Sequence, residues 1–475
     1  MYRARTGIAF GLWLAIPAVI LSGQRAAAPP SKSNVPYTDA APILQVLRED
    51  LWPGDLRGRT PAQIEAGWPE WVSRRDAAIR ARVQEGDEDS IINLLLFGTT
   101  FTKQPRVTEN QLAGLLMRQA GTGATAFVPS PLLRARIEDF ETALLSPGAN
   151  ERLQFARQVI QRRGMDPSTE AGRKTLRTYL EQRTSVVGGA VHAAALLDPS
   201  TPLVDQLTLF KDRGLASDTA IWIDFAIERA LDEVRMKGLL KPGTVRRVAI
   251  VGPGLDFADK QEGYDFYPEQ TIQPFAVVDS LIRLGLASAT DLRVTAFDLS
   301  PRVLRHLEAA RERAAAGVAY SLVLPRKLDQ SWTPDVVRYW ERFGDQIGAS
   351  AQVAPPPSSA GPVTARRVLV RPAVTLSLRP RDLNIVVQRA EPVAVDDQFD
   401  LVVATNILLY YDVFEQSLGL TNIAKMLRPG GLFLSNDRIF ELPASPLRAA
   451  GSTAVIYMQQ AGQAEKGDRV TWYQR

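Results

Sequence analysis

From Lys241-Pro242-Gly243 onward, short apolar runs alternate with amphipathic stretches, and this alternation constrains the fold more than any other feature of the chain. Apolar runs bounded by turn residues and separated by helical patterns specify parallel strands joined by crossover helices. Arg247–Val251 (RVAIV) reads as a first strand and ends in Gly252-Pro253-Gly254. A helix is expected around 271–284. Residues 292–297 (LRVTAF) read as a second strand ending at Asp298, and Pro301–Ala315 as an amphipathic helix opened by its proline. Residues 383–387 and Phe399–Ala404 are the expected third and fourth core strands. A helix over 413–427 stops at Arg428-Pro429-Gly430-Gly431 and leads to a fifth strand at 432–435. AVIYMQQ and RVTWYQR read as a terminal antiparallel hairpin. Residues 317–380 form an insertion with a strand YSLVL, an aromatic helix DVVRYWERF and a Pro/Ser linker over 354–362. The fold class is therefore α/β, with a mostly parallel sheet over 241–475.

Residues 38–240 carry a different pattern, helical stretches separated by Pro and Gly breaks, without repeats or alternating strands. Pro61 opens AQIEAGWPEWVSRRDAAIRARVQ, which Pro69 interrupts, and SIINLLLF reads as buried. Ser130-Pro131 is an N-cap and first-turn proline for a helix whose Leu133, Ile137, Phe140 and Leu144 recur at helical spacing. An all-α domain is expected to precede the sheet.

The first 28 residues have the order of an export signal. Basic MYRAR is followed by the apolar run TGIAFGLWLAIPAVILSG and then by the small residues Ala26-Ala27-Ala28. A cleaved signal peptide, an uncleaved membrane anchor and a start placed too early are the three readings. The first two imply a periplasmic, extracytoplasmic or membrane-anchored protein that meets the membrane through this segment alone. With no cysteine, disulfides, thiolate zinc sites and cysteine nucleophiles are excluded. Two histidines, His192 and His306, rule out a multi-histidine metal centre. Net charge is +4, and Arg3, Arg5 and Arg25 lie in the leading segment. That leaves no dense basic stripe for nucleic acid.

A Gly-x-Gly turn directly after a buried first strand lets a ligand approach the backbone closely. An acid ending the second strand, here Asp298, can accept both hydroxyl hydrogens of a ribose. Gly-x-Gly, then strand-Asp, then FDLVV, then LRPGG is a far more specific order than the glycines alone. That order resembles the class I S-adenosylmethionine-dependent methyltransferases, over about residues 245–475. VTAFDLSPRVL and NILLYYDVFEQSLGLTNIAKMLRPGGLFLSND look like the corresponding stretches of the chemotaxis-receptor glutamate methyltransferases. The resemblance implies a Rossmann-like sheet, S-adenosyl-L-methionine as cofactor, and methyl transfer to an acceptor it does not name. A carboxylate or other O-nucleophile, on a small molecule or a protein, is the acceptor class considered.

By the same resemblance, Gly252, Pro253 and Gly254 would face the methionine part of the cofactor, Asp298 its ribose, and Leu299 its adenine. Asn406 would lie beside the transferred methyl group, with Tyr410 and Tyr411 nearby. Arg389 of VVQRAE, with Ala390 beside it, stands where an acid often meets the adenine amino group, unless Glu391 takes that role. The acid usual within the first strand is Ile250 here. Asp256 occupies the third glycine position. Asp256, Asp259, Lys260, Glu262, Tyr264 and Asp265 read either as a solvated loop or as a lid whose acids hold the cofactor. Asp256, Tyr410 and Tyr411 are the candidate bases. Trp332, Tyr339, Trp340 and Phe343 either cover the acceptor or simply pack. His306 reads as a bland surface residue and His192 as packed or capping. An export signal conflicts with a cytoplasmic cofactor, so a non-catalytic envelope binding module on the same fold is the alternative function. A nicotinamide-dependent oxidoreductase is a third reading, and Phe257 displaces the last glycine its motif needs.

Overall fold

The computed structural model describes residues 31–475 except 109–110, 113, 115–127, 196–203, 205–207, 209, 216–220, 257–263, 392–396, 438, 440, 444 and 460–464. The segment expected to be a signal or anchor lies outside the described residues. Among the described residues, no helix is long and apolar enough to cross a membrane.

In chain order the elements are β1 (Lys32–Asn34), α1 (Tyr37–Val46), α2 (Pro61–Phe97), α3 (Pro131–Leu145), α4 (Glu151–Arg162), α5 (Glu170–Ala195) and α6 (Ile221–Met236). Then follow β2 (Arg247–Val251), α7 (Gln273–Arg283), β3 (Arg293–Asp298), α8 (Pro301–Ala315), β4 (Tyr320–Lys327), α9 (Pro334–Arg342), β5 (Gly348–Ala351) and β6 (Val363–Val370). The chain ends with α10 (Pro372–Ser377), β7 (Leu378–Asp382), β8 (Gln388–Ala390), β9 (Phe399–Ala404), α11 (Val413–Met426), β10 (Leu427–Ser435), β11 (Arg448–Met458) and β12 (Lys466–Gln474).

Seven strands form one sheet in the order β11-β12-β10-β9-β2-β3-β7. The five from β10 to β7 are parallel, and β12 runs antiparallel to both its neighbours. β9 is buried along its whole length, because helices cover both faces of the sheet and leave no polar alternation. From β2 the chain moves to β3 and β7 on one side, then returns to build β9 and β10 on the other. The order reverses between β2 and β9, and the crevice beyond their carboxyl ends is where open α/β sheets hold ligands.

One core strand is not where the apolar pattern places it. The third strand is β7, and residues 383–387 form a buried turn after it. β7 is an edge strand that carries Arg379, Pro380 and Arg381, so its pattern looks polar. The apolar run beyond it is buried for another reason. Asn422 Nδ2 of α11 donates to the carbonyls of Ile385 and Val386, both at 2.9 Å, and fastens the turn beneath that helix. The insertion accordingly ends before β7. It forms its own antiparallel sheet in the order β4-β6-β5, with α9 packed alongside.

The residues expected to form one helical domain over 38–240 serve three cores. Val35, α1 and the first half of α2, through Ile64, Trp68, Trp71 and Ile79, pack with α11 on one face of the sheet. α6, through Trp222, Phe225, Leu231 and Val234, packs on the other face beside α7 and α8. The end of α2, Ile91 to Phe97, joins α3, α4 and α5 in a separate helical core. α2 runs through Pro69 without a break. Thr60 and Gln63 close a capping box at its start, and burial of Trp68 and Trp71 on the sheet offsets the backbone bond the proline removes.

Candidate cofactor site

The switch-point crevice begins at Gly252, whose φ of 68° and that of Gly254, 65°, lie in the left-handed region. A Cβ on Gly252 would fall 2.1 Å from Ile407 Cδ1, so that side chain would have to move, and the positive φ itself strains any larger residue. The Gly252 N–H donates to Phe297 O at 2.8 Å and ties the bend to the end of β3. There Asp298 Oδ1 accepts the Ser300 N–H at 2.7 Å. Burial pushes the Asp298 carboxyl up to about 6, against the pull of the Ser300, Gly254 and Leu299 amides that face it. The bend and the acid are therefore neighbours. Asp298 and Leu299 are both half-buried, and Leu299 packs against the core shared with α2 and α11.

On the β9 side, Asn406 is exposed and holds φ 55°, the single left-handed non-glycine among the described residues. Its N–H donates to Asn436 Oδ1 at 2.9 Å and its Oδ1 accepts from Asn436 Nδ2 at 3.0 Å. Asp437, at the end of β10, accepts the N–H groups of Ile407 at 3.1 Å and Leu408 at 2.8 Å on one oxygen. Its other oxygen is buried without a hydrogen bond. Burial pushes this carboxyl up to about 7, opposed by the same amides. Tyr410 and Tyr411 are buried. Arg82 of α2 donates to Tyr410 O at 2.7 Å and stands 5.7 Å above the Tyr411 ring. Burial raises the Tyr411 hydroxyl well above its ordinary range.

Asp256 is neither a lid acid nor solvated. Its Oδ2 accepts from Tyr267 Oη at 2.9 Å and Gln270 Nε2 at 2.8 Å, and burial raises its carboxyl. Asp265 is likewise buried, accepting from the backbone and hydroxyls of Thr99 and Thr100. Arg152 of α4 donates to the carbonyls of Asp256, at 3.0 Å, and Tyr267. The loop after the glycine bend is thus fastened into the helical core. Asp259, Lys260 and Glu262 lie outside the described residues.

Arg389 and Ala390 are held by other partners than the bend. β8, which carries them, pairs with β1. Arg389 is committed to Asp39 at 2.5 Å and Glu391 at 3.1 Å. The Ala390 N–H meets Met426 Sδ at 3.3 Å, toward the start of β10 rather than its carboxyl end. Ile250 lies in the core. Trp332, Tyr339, Trp340 and Phe343 are core residues between the insertion and α6. His306 is no solvent-facing residue, because its Nε2 pairs with Tyr320 Oη at 2.7 Å and burial lowers its pKa to about 4. The side chain of His192 lies outside the described residues.

Sequence reasoning missed Asp437 and the whole contribution of α2. Asp437 stood in plain view in LFLSND, two residues past β10, and its strand-end position was the available signal. Nothing local in α2 reveals that it crosses the sheet's carboxyl edge.

No family model and no curated protein sequence matches the chain. Among solved structures it is similar to the CurJ carbon methyltransferase, at 14% identity over 87% of this chain and 97% of that one, with a TM-score of 0.26. It is also similar to the N-methyltransferase NodS of Bradyrhizobium japonicum WM9, at 13% identity over 52% and 95% of the two chains, TM-score 0.24. A third is the glycopeptide N-methyltransferase MtfA complexed with sinefungin, at 12% identity over 52% and 66%, TM-score 0.21. These scores are low, and the α/β fold assignment rests on the sheet order itself.

Proposed function

We propose that the sheet domain binds S-adenosyl-L-methionine and transfers its methyl group to a nucleophile of the carboxylate or O-nucleophile class. The observation that carries this reading is the Asp298 carboxylate, held one hydrogen bond from Ser300 and facing the Gly254 amide at the switch point. The residues fit such a cofactor. Two left-handed glycines present backbone closely, and an acid beside them can accept two hydroxyl hydrogens. When bound, the sulfonium supplies an already activated methyl group. The protein's task is then to hold the nucleophile in line and dry, which is proximity catalysis. Gly252 and Gly254 shape the floor, Asp298 fixes the sugar, and the Asn406–Asn436 pair holds the loop that borders the acceptor side. A carboxylate acceptor needs no base. For an acceptor with a proton to lose, the groups named from sequence serve poorly: Asp256 is sealed in its own network and Tyr411 is buried with a raised pKa.

A non-catalytic binding module is the second reading, favoured by one observation: Ile407 packs against Gly252, so that glycine also has a purely structural reason to be there. Calorimetry of the full chain with S-adenosylmethionine, S-adenosylhomocysteine and NAD separates the two. The methyltransferase reading expects binding of the first two and its loss in Asp298→Ala. No binding of either would leave the fold as a scaffold without this chemistry.

A further inference from the structure

The β7 edge of the sheet gathers arginines that lie far apart in the chain. Arg247, which opens β2, is registered against Arg293, which opens β3. Two residues on, Thr295 of β3 is registered against Arg379 of β7, and Phe297 against Arg381. Side chains repeat with a period of two along a strand, so all four arginines stand on the face that carries Phe297. Farther in, that face is covered by α1, α2 and α11. Toward the β7 edge, Arg293 and Arg379 are exposed, and Arg247, Thr295 and Arg381 are half-buried. Arg311 of α8 reaches the same edge, where it donates to the carbonyls of Leu376 and Leu378.

Few acids answer these charges. Arg247 bonds Asp397 at 2.8 Å. Among the described residues, Arg293 meets only the carbonyls of Thr290 and Leu292, both at 3.0 Å, and Arg379 and Arg381 have no hydrogen-bonding or ionic partner. Burial, and after it the charges of Arg293, Arg311, Arg381 and Arg247, lower the Arg379 guanidinium from its ordinary value. Like charges set side by side across strands repel, so packing alone gives no reason to collect them. Their summed field attracts an anionic surface.

The start of the chain indicates which surface. β1 begins at Lys32, whose Nζ lies 2.6 Å from the carboxylate of Asp382, the last residue of β7. Arg80 of α2 donates to the same carboxylate at 2.6 Å. The apolar run that reads as an export signal or anchor ends at Gly23, and the residues between it and Lys32 span at most about 30 Å when extended. A bilayer holding that run is within reach of the arginine edge. We propose that the arginine face of β2, β3 and β7 docks on an anionic phospholipid surface, with Arg379 and Arg381 meeting headgroup phosphates. The docking face is separate from the switch-point crevice, so this inference stands or falls independently of the methyl-donor reading.

The test is flotation of the full chain with vesicles of phosphatidylcholine alone and of phosphatidylcholine mixed with phosphatidylglycerol. The leading segment is common to every chain compared, so the readout is the preference for the anionic vesicles. Arg379→Gln/Arg381→Gln should cut that preference roughly 25-fold, because each arginine near a charged membrane contributes about fivefold. Its melting temperature should be no lower than that of the wild type, since two like charges without partners are removed. Arg379→Lys/Arg381→Lys keeps the charges and should stay within about threefold of the wild type. Arg134→Gln/Arg338→Gln removes as much charge from exposed positions on α3 and α9, and should also stay within about threefold. In the unaltered chain the preference should fall steeply as salt is raised. A wild-type chain without the preference, a preference indifferent to salt, or an Arg379→Gln/Arg381→Gln chain that keeps it overturns the proposal. An equal loss in Arg134→Gln/Arg338→Gln overturns it too, by reducing the effect to net charge. A loss seen with a short single-stranded RNA and not with the vesicles would give the face to nucleic acid instead.

Discussion

Asp298 at the end of β3 and Asp437 at the end of β10 are both held by backbone amides and both pushed above the ordinary carboxylate range by burial. They differ in what the bonds achieve. Asp298 bonds forward to Ser300, at the opening of its own helix, and remains half-buried at the switch point. Asp437 bonds sideways to Ile407 and Leu408 in the loop after β9, and is buried. The first can meet a ligand, while the second pins the loop that presses Ile407 against Gly252. On the methyl-donor reading, equal chemistry at two strand ends is divided between recognition and fastening, and exposure is what divides it.

Removing the fastener is expected to have the largest effect on stability. Asp437→Ala leaves two loop amides without an acceptor, at about 1–3 kcal/mol each, so a loss of roughly 2–6 kcal/mol should appear in denaturant unfolding. An unchanged midpoint would show that the loop is held by packing alone. Asp298→Ala should do the reverse. S-adenosylmethionine affinity is expected to fall about 100-fold, roughly 2.7 kcal/mol, while the melting temperature stays close to that of the wild type. A variant that melts early but keeps its affinity would exchange the two roles.

The pH responses sharpen the contrast. The folded-state pKa of Asp437 is raised to about 7, so its contribution to stability is fully present below the unfolded-state value near 4. It is lost as pH rises from there toward 7, with a slope of at most about 1.4 kcal/mol per pH unit. Unfolding measured from pH 4.5 to 8 should show that slope in the wild type and a flatter line in Asp437→Asn. On the methyl-donor reading, Asp298 serves the ligand as an acceptor when ionised. Affinity should therefore decline below about 6, and calorimetry at pH 5 should read roughly tenfold weaker binding than at pH 7.5. The smallest effect expected lies far from both acids. Thr60→Ala opens the capping box of α2 and should cost about 1 kcal/mol without altering ligand affinity.

Much of the sheet could be read from residues alone. RVAIV, FDLVV and the stretch before Asp298 form strands because unbroken apolar runs of that length satisfy a sheet covered on both faces. The edge strand escaped that logic. β7 carries arginines and a proline because one of its sides has no neighbouring strand, and the apolar turn after it looked more strand-like than the strand itself. The glycine bend at Gly252 and Gly254 and the place of Asp298 at the end of β3 were legible because their geometry is set within a few residues. The ion pair of Arg389 could not be read, because its partner, Asp39, lies 350 positions away in the chain.

The sequence by itself determined where strands and helices alternate, which bend needs glycines, and which acid ends the second strand. Each follows from local periodicity and backbone sterics. Only the tertiary structure decided that one long helix serves two cores and crosses the sheet's carboxyl edge, that Asp256 is sealed while Asp298 is not, and that Asp437 holds its neighbour's loop. Those outcomes depend on which distant groups share a low-dielectric interior, and no pattern along the chain encodes that.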